Sequence, residues 1–571
     1  MIPLLLALQV ATVAPVDPGA IDTLIDRLLP NRDRPGFALA VVKDGRTVYR
    51  RVLGYQDLGD RIAATPETRY EWASVSKQFT AYVIASLVQA GKLAPSDPVA
   101  RYRPRLAGLG VPITVEQLLH HTGGIEDIDG LLTLAGVRWS DDVDFGDAID
   151  LLERQRHLRF EPGSQHFYSN GGYALLAAIA EAASGDSFPA LAKRLVFDPL
   201  GLVGASFRTD VDRAEPDIAV SYRADEGGVY RRSRYPEVPG PGGLVATIDD
   251  LARWAVHLLA PGADSARVAM LGQRGVVNGE PIGYAWGIGW GEHRGHRMLG
   301  HAGSGPGSSS QITLFPDLGL GLVAVSASSE DPGAGQIVMQ VANLLLPPEQ
   351  EPAAPSNGPR AVMLTTAMFR ERPPETEGLE RPAEELAALA GIYRLDEGRV
   401  VIRPAAGHLE MARDGSPPFF PIYPTRDGGW LMIPLYERLS FELDANGRGQ
   451  AITLERTDRS LIQRGPRTRT GRRVDVPSDS TALAGLVGWY LSDELATLYQ
   501  VRWRDGALRL WHPRHGELTL IVVDGTAFGI DSRLIARATF AKDQTGKGVG
   551  LLLEAFSWGV STSFRRVELS P

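Results

Sequence analysis

The chain has no cysteine among its 571 residues. That excludes disulfides, thiolate metal ligands and a cysteine nucleophile, and it leaves the compartment open. Metal-ligand spacing is missing too: His293, His296, His512 and His515 show no HExxH-type arrangement, so no metal is expected. The glycine-rich stretch 300–307 does not lead from a strand into a helix in the phosphate-binding manner, which argues against a nucleotide site. Positive charge is not in excess; the net charge of −9 gives a field that does not draw nucleic acid. Beyond the N-terminal segment no apolar run is long enough to span a bilayer.

The remaining composition is that of an ordinary globular protein, at a length that suggests two to four domains. Residues 1–14 form a short apolar stretch ending in small residues, with no Lys or Arg before it. It reads as a candidate signal segment (1–16), and periplasmic or secreted localisation is the expectation. Asp17-Pro18 then offers an N-cap and a first-turn proline to a helix whose apolar face is Ile21, Leu24, Ile25, Leu28 and Leu29. Two β-rich runs, 37–42 and 47–53, flank Asp44-Gly45 as a hairpin. A mostly helical stretch follows, in which Thr247 and Asp250 form a capping-box pattern. Strands return over 287–290, 311–315 and 320–326, and a helix over 335–346 closes the region. Strands, helices, strands, then a helix indicate α+β: an antiparallel sheet made by both ends of the domain, with a helical insert.

Residues 347–382 are proline-punctuated and charged, an interdomain linker. Beyond them the chain is strand-rich with frequent turns, as in β-barrels. Residues 389–393 are echoed by 486–490, and Gly407-His408-Leu409 by Gly506-Ala507-Leu508, which suggests two copies of one β-unit. The expected divisions are a catalytic domain over 17–346, one barrel over 383–466, a basic linker over 467–481 and a second barrel over 482–571.

Chemistry concentrates around Ser74. Ser74 and Lys77 lie three apart at the head of a helical pattern (Phe79, Val83, Ile84, Leu87, Val88), so the amine can reach the hydroxyl one turn away. A serine hydroxyl is a poor nucleophile until something takes its proton. At a helix start its own N–H is also free to hold an oxyanion. By itself this pair is equally a polar cap on an amphipathic helix. Two further motifs change the reading: Tyr168-Ser169-Asn170 in a loop before a helix, and His301-Ala302-Gly303-Ser304 at a strand edge. In this order and spacing the sequence resembles the serine β-lactamase and penicillin-binding-protein superfamily, closest to its class C-like branch, over about 17–346. A catalytic domain followed by two small lipocalin-like barrels is similar to the three-domain D-aminopeptidases, with family VIII-type carboxylesterases as relatives.

The resemblance implies that Ser74 is acylated and that Lys77 sustains the base. Tyr168 would take the proton and later activate water. Asn170 would bond the substrate and Lys77, and the N–H groups of Ser74 and Ser304 would form the oxyanion hole. His301 would line the leaving side, and Gly303 would bind substrate with Asn170 and Ser304. A free phenol ionises near pH 10, so Tyr168 needs about 4 kcal/mol of help at neutral pH, from Lys77 and the helix N-terminus. The alternative base is a neutral Lys77. His120 and His121 are expected to support the loop around them. The family's lysine is replaced by His301, which holds an anionic leaving portion less strongly and points away from efficient β-lactam hydrolysis. The expected function is amide hydrolysis of short peptides, D-aminopeptidase-like, through an acyl-enzyme. The alternatives are a carboxylesterase, a D-Ala-D-Ala carboxypeptidase or weak β-lactamase, and a non-catalytic envelope-binding module. No cofactor is expected. The expected partners are a small peptide or ester substrate and, in a homodimer, a second copy of the chain.

Overall fold

The computed structural model describes residues 15–346 and 376–568 apart from short stretches within them. The candidate signal segment and most of the proline-rich linker lie outside the described residues. The chain divides into two compact units, which are taken separately.

The first unit is built on a six-stranded antiparallel sheet. Its order is Gly289–His293, His296–Gly305, Ser308–Phe315, Leu320–Ser326, Phe37–Lys43, Arg46–Leu53. Both ends of the unit therefore share one sheet, paired in register from Phe37 opposite Ser326 to Lys43 opposite Leu320. The two central strands are apolar on both sides because both faces of the sheet are covered. On one face lie the helices Pro18–Leu28 and Ala334–Leu345, which bury Ile21, Ile25, Ile337 and Val341 against Leu39, Val41 and Leu322. Ile248–Leu259 covers the other face, and its Ala255 and Leu259 reach Gly321. The caps anticipated at Asp17 and at Thr247 with Asp250 are formed, the second as a complete capping box.

The helix Ser76–Gln89 departs from a one-sided amphipathic pattern: every residue from Ser76 to Leu87 is buried. It is the centre of the helical insert, so its polar side chains must find partners inside. They do. Ser76 Oγ accepts the Leu244 N–H at 3.2 Å, Gln78 Oε1 accepts the Trp254 indole N–H at 2.7 Å, and Thr80 donates to the Gly240 carbonyl at 2.8 Å.

The second unit contains two closed eight-stranded antiparallel barrels, Gly391–Leu395 through Thr468–Arg473 and Gly488–Ser492 through Ser561–Val567. The sequence echo has a structural counterpart in both. Tyr393 OH donates to the Leu389 carbonyl at 2.7 Å, and Tyr490 OH to the Leu486 carbonyl at 2.8 Å. Each barrel also has an arginine on its last strand that fastens the barrel end. Arg473 donates to the carbonyls of Ala388, Ala390 and Gly449. Arg566 donates to those of Gly485, Val487 and Gly548.

Two boundaries differ from the sequence reading. The basic linker expected over 467–481 includes Thr468–Arg473, the strand that closes the first barrel by pairing with both Gly391–Leu395 and Gly449–Arg456. Its charge misled because the arginines are used structurally: Arg469 pairs with buried Glu437, and Arg473 with main-chain carbonyls. Residues 129–138, expected within the 17–346 domain, group with the second unit rather than with the flanking first unit. There the Tyr499 hydroxyl donates to the Leu134 carbonyl at 3.2 Å, and the His515 ring bonds the Thr133 carbonyl at 2.8 Å.

Arg566→Ala removes three charge-assisted bonds and leaves their carbonyls to find other partners. It should destabilise the second barrel by about 3 kcal/mol. Hydrogen exchange should show the loss as faster exchange in Gly488–Ser492 and Ser561–Val567, with the first barrel unchanged.

Candidate active site

The chain reaches Ser74 through the short strand Tyr70–Glu71 and then turns sharply. Ala73 takes φ +44°, a left-handed value that a residue with a Cβ adopts only when its surroundings hold it there. Val75 N–H donates back to the Trp72 carbonyl at 3.1 Å, and the Ser310 hydroxyl donates to the same carbonyl at 2.8 Å, which ties the turn to the sheet. The result is a 3₁₀ turn, Ala73–Val75, that runs into the buried helix Ser76–Gln89. Ser74 is part-exposed between two buried neighbours.

Lys77 is wholly buried. Its Nζ lies 3.0 Å from Ser74 Oγ, 2.7 Å from Asn170 Oδ1 and 3.0 Å from the Pro241 carbonyl oxygen. As an ammonium it donates to all three. As a free amine its two N–H groups serve Asn170 and Pro241, and its lone pair faces the Ser74 hydroxyl. Either way the amine is fixed on the Ser74 hydroxyl. The same Nζ stands 4.7 Å from the centre of the Tyr168 ring.

Tyr168 and Asn170 are delivered by the start of helix Asn170–Ser184, which Ser169 caps by accepting the Gly172 N–H at 3.2 Å. The Asn170 N–H donates to the buried Asp127 carboxylate at 2.7 Å. His301 lies within the strand His296–Gly305, not at its edge, with its ring 5.9 Å from that of Tyr168. Two residues on, Gly303 is required by close approach: a Cβ there would stand 2.1 Å from Ser310 Oγ and 2.4 Å from the Trp72 carbonyl oxygen. The strand thus runs directly against the turn that carries Ser74, and Ser304 follows exposed.

His301 has a fixed tautomer. Its Nδ1 lies 2.6 Å from the Ala302 carbonyl oxygen, which can only accept, so Nδ1 carries the hydrogen. Nε2 then accepts the Tyr284 hydroxyl at 3.0 Å. Loss of surrounding water, together with the positive charge of Lys77, pushes the imidazole down to about 3. It is a neutral wall and not a cation. Tyr284, wholly enclosed, has its phenol held well above the ordinary value, first by burial and then by the neighbouring phenols Tyr173 and Tyr168.

Ser74, Lys77, Tyr168, Asn170, His301 and Gly303 are therefore gathered on elements that touch. The sequence reading did not single out Tyr284, the Pro241 carbonyl or the full part played by His121. A backbone carbonyl leaves no mark in a sequence, and Tyr284 sits in a glycine-rich turn without periodicity. Among the described residues no cluster of His, Asp and Glu could hold a metal ion, and no helix is long and apolar enough to cross a membrane.

Comparison with known proteins gives consistent results. The beta-lactamase family model matches residues 21–343. A D-aminopeptidase of Brucella anthropi is 29% identical over 333 residues, which is 58% of this chain and 63% of that protein. Protein flp of Staphylococcus aureus is 28% identical over 317 residues, 54% of this chain and 62% of that protein. The chain thus spans somewhat less than two thirds of the length of these curated relatives. Among solved structures, the octameric penicillin-binding protein homologue from Pyrococcus abyssi is similar with a TM-score of 0.54 at 22% identity, covering 88% of this chain and 100% of that one. A penicillin-binding protein from Bacillus halodurans gives 0.50 at 23% identity, covering 57% of this chain and 99% of that one. These two likenesses concern the fold.

The depressed imidazole has a consequence for stability. Between about 3 and the ordinary histidine value near 6.5, the unfolded chain binds a proton at position 301 that the folded chain does not. Stability at this position is complete above that window and is lost as the pH falls through it. Urea unfolding at pH 7 and pH 5 should show a drop for the wild type and a smaller one for His301→Asn.

Proposed function

The chain belongs to the beta-lactamase family, and from that premise we propose that it is a serine hydrolase working through an acyl-enzyme on the amide bonds of short peptides, as a D-aminopeptidase does. The observation that carries the reading is the buried amine of Lys77, fixed at 3.0 Å from Ser74 Oγ and 2.7 Å from Asn170 Oδ1. A wholly buried lysine whose contacts end on a part-exposed serine hydroxyl is an expensive arrangement for structure alone.

Ser74 Oγ attacks the acyl carbonyl while its proton passes to Tyr168. The amides of Ser74 and Ser304 receive the negative charge that builds on the carbonyl oxygen. Tyr168 returns the proton to the departing amine, leaving Ser74 acylated. A water then gives its proton to Tyr168 and attacks the ester carbonyl, and Tyr168 passes that proton to Ser74 Oγ as the bond to it breaks and the acid leaves. Asn170 holds Lys77 on one side and the substrate carbonyl on the other, and Lys77 supplies positive potential to the phenolate. His301, neutral and bonded to Tyr284, offers the leaving portion no fixed cation. That favours substrates recognised by a free amino end over those with a carboxylate on the leaving side, and it weighs against β-lactams. The D-aminopeptidase relative supports this substrate class. The apolar stretch at the N-terminus supports work outside the cytoplasm.

Hydrolysis of D-alanine p-nitroanilide compared with p-nitrophenyl butyrate tests the substrate class; turnover of the ester alone overturns the peptidase reading in favour of a carboxylesterase. A fluorophosphonate should label the wild type and not Ser74→Ala, and equal labelling overturns the nucleophile. Tyr168→Phe should lower turnover by roughly 100-fold or more, the usual scale for a general base. Near-normal turnover would move that role to Lys77.

A further inference from the structure

We propose that His121 is the positioning residue that sets the orientation of Tyr168, by gripping the main chain on both sides of it and stacking on its ring. This rests on the proposed role of Tyr168 as proton acceptor. Residues 121–127 form a cradle for the segment that leads to the site. The Gly124 carbonyl accepts the Arg159 N–H at 2.8 Å, and the Thr122 carbonyl accepts the Gly163 N–H at 2.7 Å. The Glu126 carbonyl accepts the Ser169 hydroxyl at 3.1 Å, and the Asp127 carboxylate accepts the Asn170 N–H at 2.7 Å. Most of these contacts use the main chain of the cradle and place few demands on its side chains.

His121 differs. Its carbonyl accepts the Phe167 N–H at 3.0 Å and its Nδ1 accepts the Ser169 N–H at 3.1 Å, so a single residue holds the neighbours of Tyr168 on either side. Its ring lies 4.3 Å from the Tyr168 ring, inclined at 36°, and is backed by Tyr284 at 4.6 Å and Tyr173 at 5.0 Å. Three phenol rings therefore meet on one imidazole.

Two further features show what this placement costs. His121 has φ +57°, a left-handed backbone that asparagine or glycine adopts more easily. It is also 3% exposed, and its Nε2 has no hydrogen-bond partner among the described residues. Because Nδ1 accepts from Ser169, the neutral ring must carry its hydrogen on that buried Nε2. A side chain needed only to fill the loop would avoid both penalties. An acceptor at the Nδ1 position joined to a flat ring satisfies the two contacts with Ser169 and Tyr168 at once. The ring must also stay neutral, since a proton on Nδ1 would release the Ser169 N–H. Burial first, then the positive charge of Lys77, keeps it well below the ordinary histidine value.

The substitutions that separate the two contacts are His121→Asn, which keeps a short acceptor and tolerates the left-handed backbone, and His121→Phe, which keeps the ring and loses the acceptor. Both are to be examined in the full chain, with fold checked by melting within about 5 °C of wild type. Acylation by a p-nitrophenyl ester or an amino-acid p-nitroanilide should fall ~10- to 100-fold in kcat with KM changed less than about threefold, because misplacing a reacting group by an ångström costs on that scale. The acid limb of the kcat/KM pH profile should move as well. Independently of turnover, the Tyr168 signal in tyrosine-ring carbon NMR, assigned by its loss in Tyr168→Phe, should titrate about half a pH unit or more away from wild type. A folded His121→Asn with wild-type kcat, pH profile and Tyr168 titration overturns the inference, whether or not His121→Phe folds. Absence of Ser74-dependent acylation in the wild type overturns the proposed function instead, and the titration then decides the role of His121 alone.

Discussion

The site around Ser74 depends on one buried amine, that of Lys77, being held by oxygen atoms from separate segments. Lys77 Nζ touches the nucleophile's hydroxyl, the amide oxygen of Asn170 and the Pro241 carbonyl. Those atoms belong to three segments far apart in sequence, so the amine serves as a joint among the nucleophile's helix, the helix start after Tyr168 and the loop before the strand Leu244–Ala246. An amine taken from water needs every hydrogen bond it can form. The fold supplies them only when all three segments are in place, and assembly of the insert and assembly of the site are one event.

Around that joint the site is an arrangement of neutral rings. His121 and His301 are both kept uncharged by burial and by the positive charge beside them. Tyr168, Tyr173 and Tyr284 pack against them. Such a lining keeps the dielectric low near Lys77, which strengthens the effect of its charge on the groups around it. It also leaves the leaving-group side without a permanent charge.

Much of this was legible in the sequence. The cluster around Ser74 is readable because its members fall in motifs of fixed type and order: Ser74 and Lys77 one helical turn apart, Tyr168 and Asn170 at a later helix start, His301 and Gly303 on a strand. The sheet built from both ends of the first unit follows from the apolar run at 37–42 and the mostly apolar run at 320–326. The parts that were not legible have physical reasons. The helix Ser76–Gln89 reads as one-sided because Ser76, Gln78 and Thr80 are polar, and only tertiary partners reveal that these faces are also interior. The strand Thr468–Arg473 reads as a linker because its arginines look solvated, whereas two of them bond inward. His121 reads as loop support because nothing local reports the left-handed backbone or the aromatic rings brought to it from residues 168, 173 and 284.

Enclosure of the helix that follows Ser74, from Ser76 to Leu87, bears on how the first unit would come apart. Ser76–Gln89 has no solvent face from Ser76 to Leu87 along which it could peel away while its surroundings persist. Local fraying elsewhere in the first unit leaves Ser74 and Lys77 together, and separating them requires the whole insert to open. Escape of this helix from its surroundings is therefore tied to cooperative opening of the insert that encloses it.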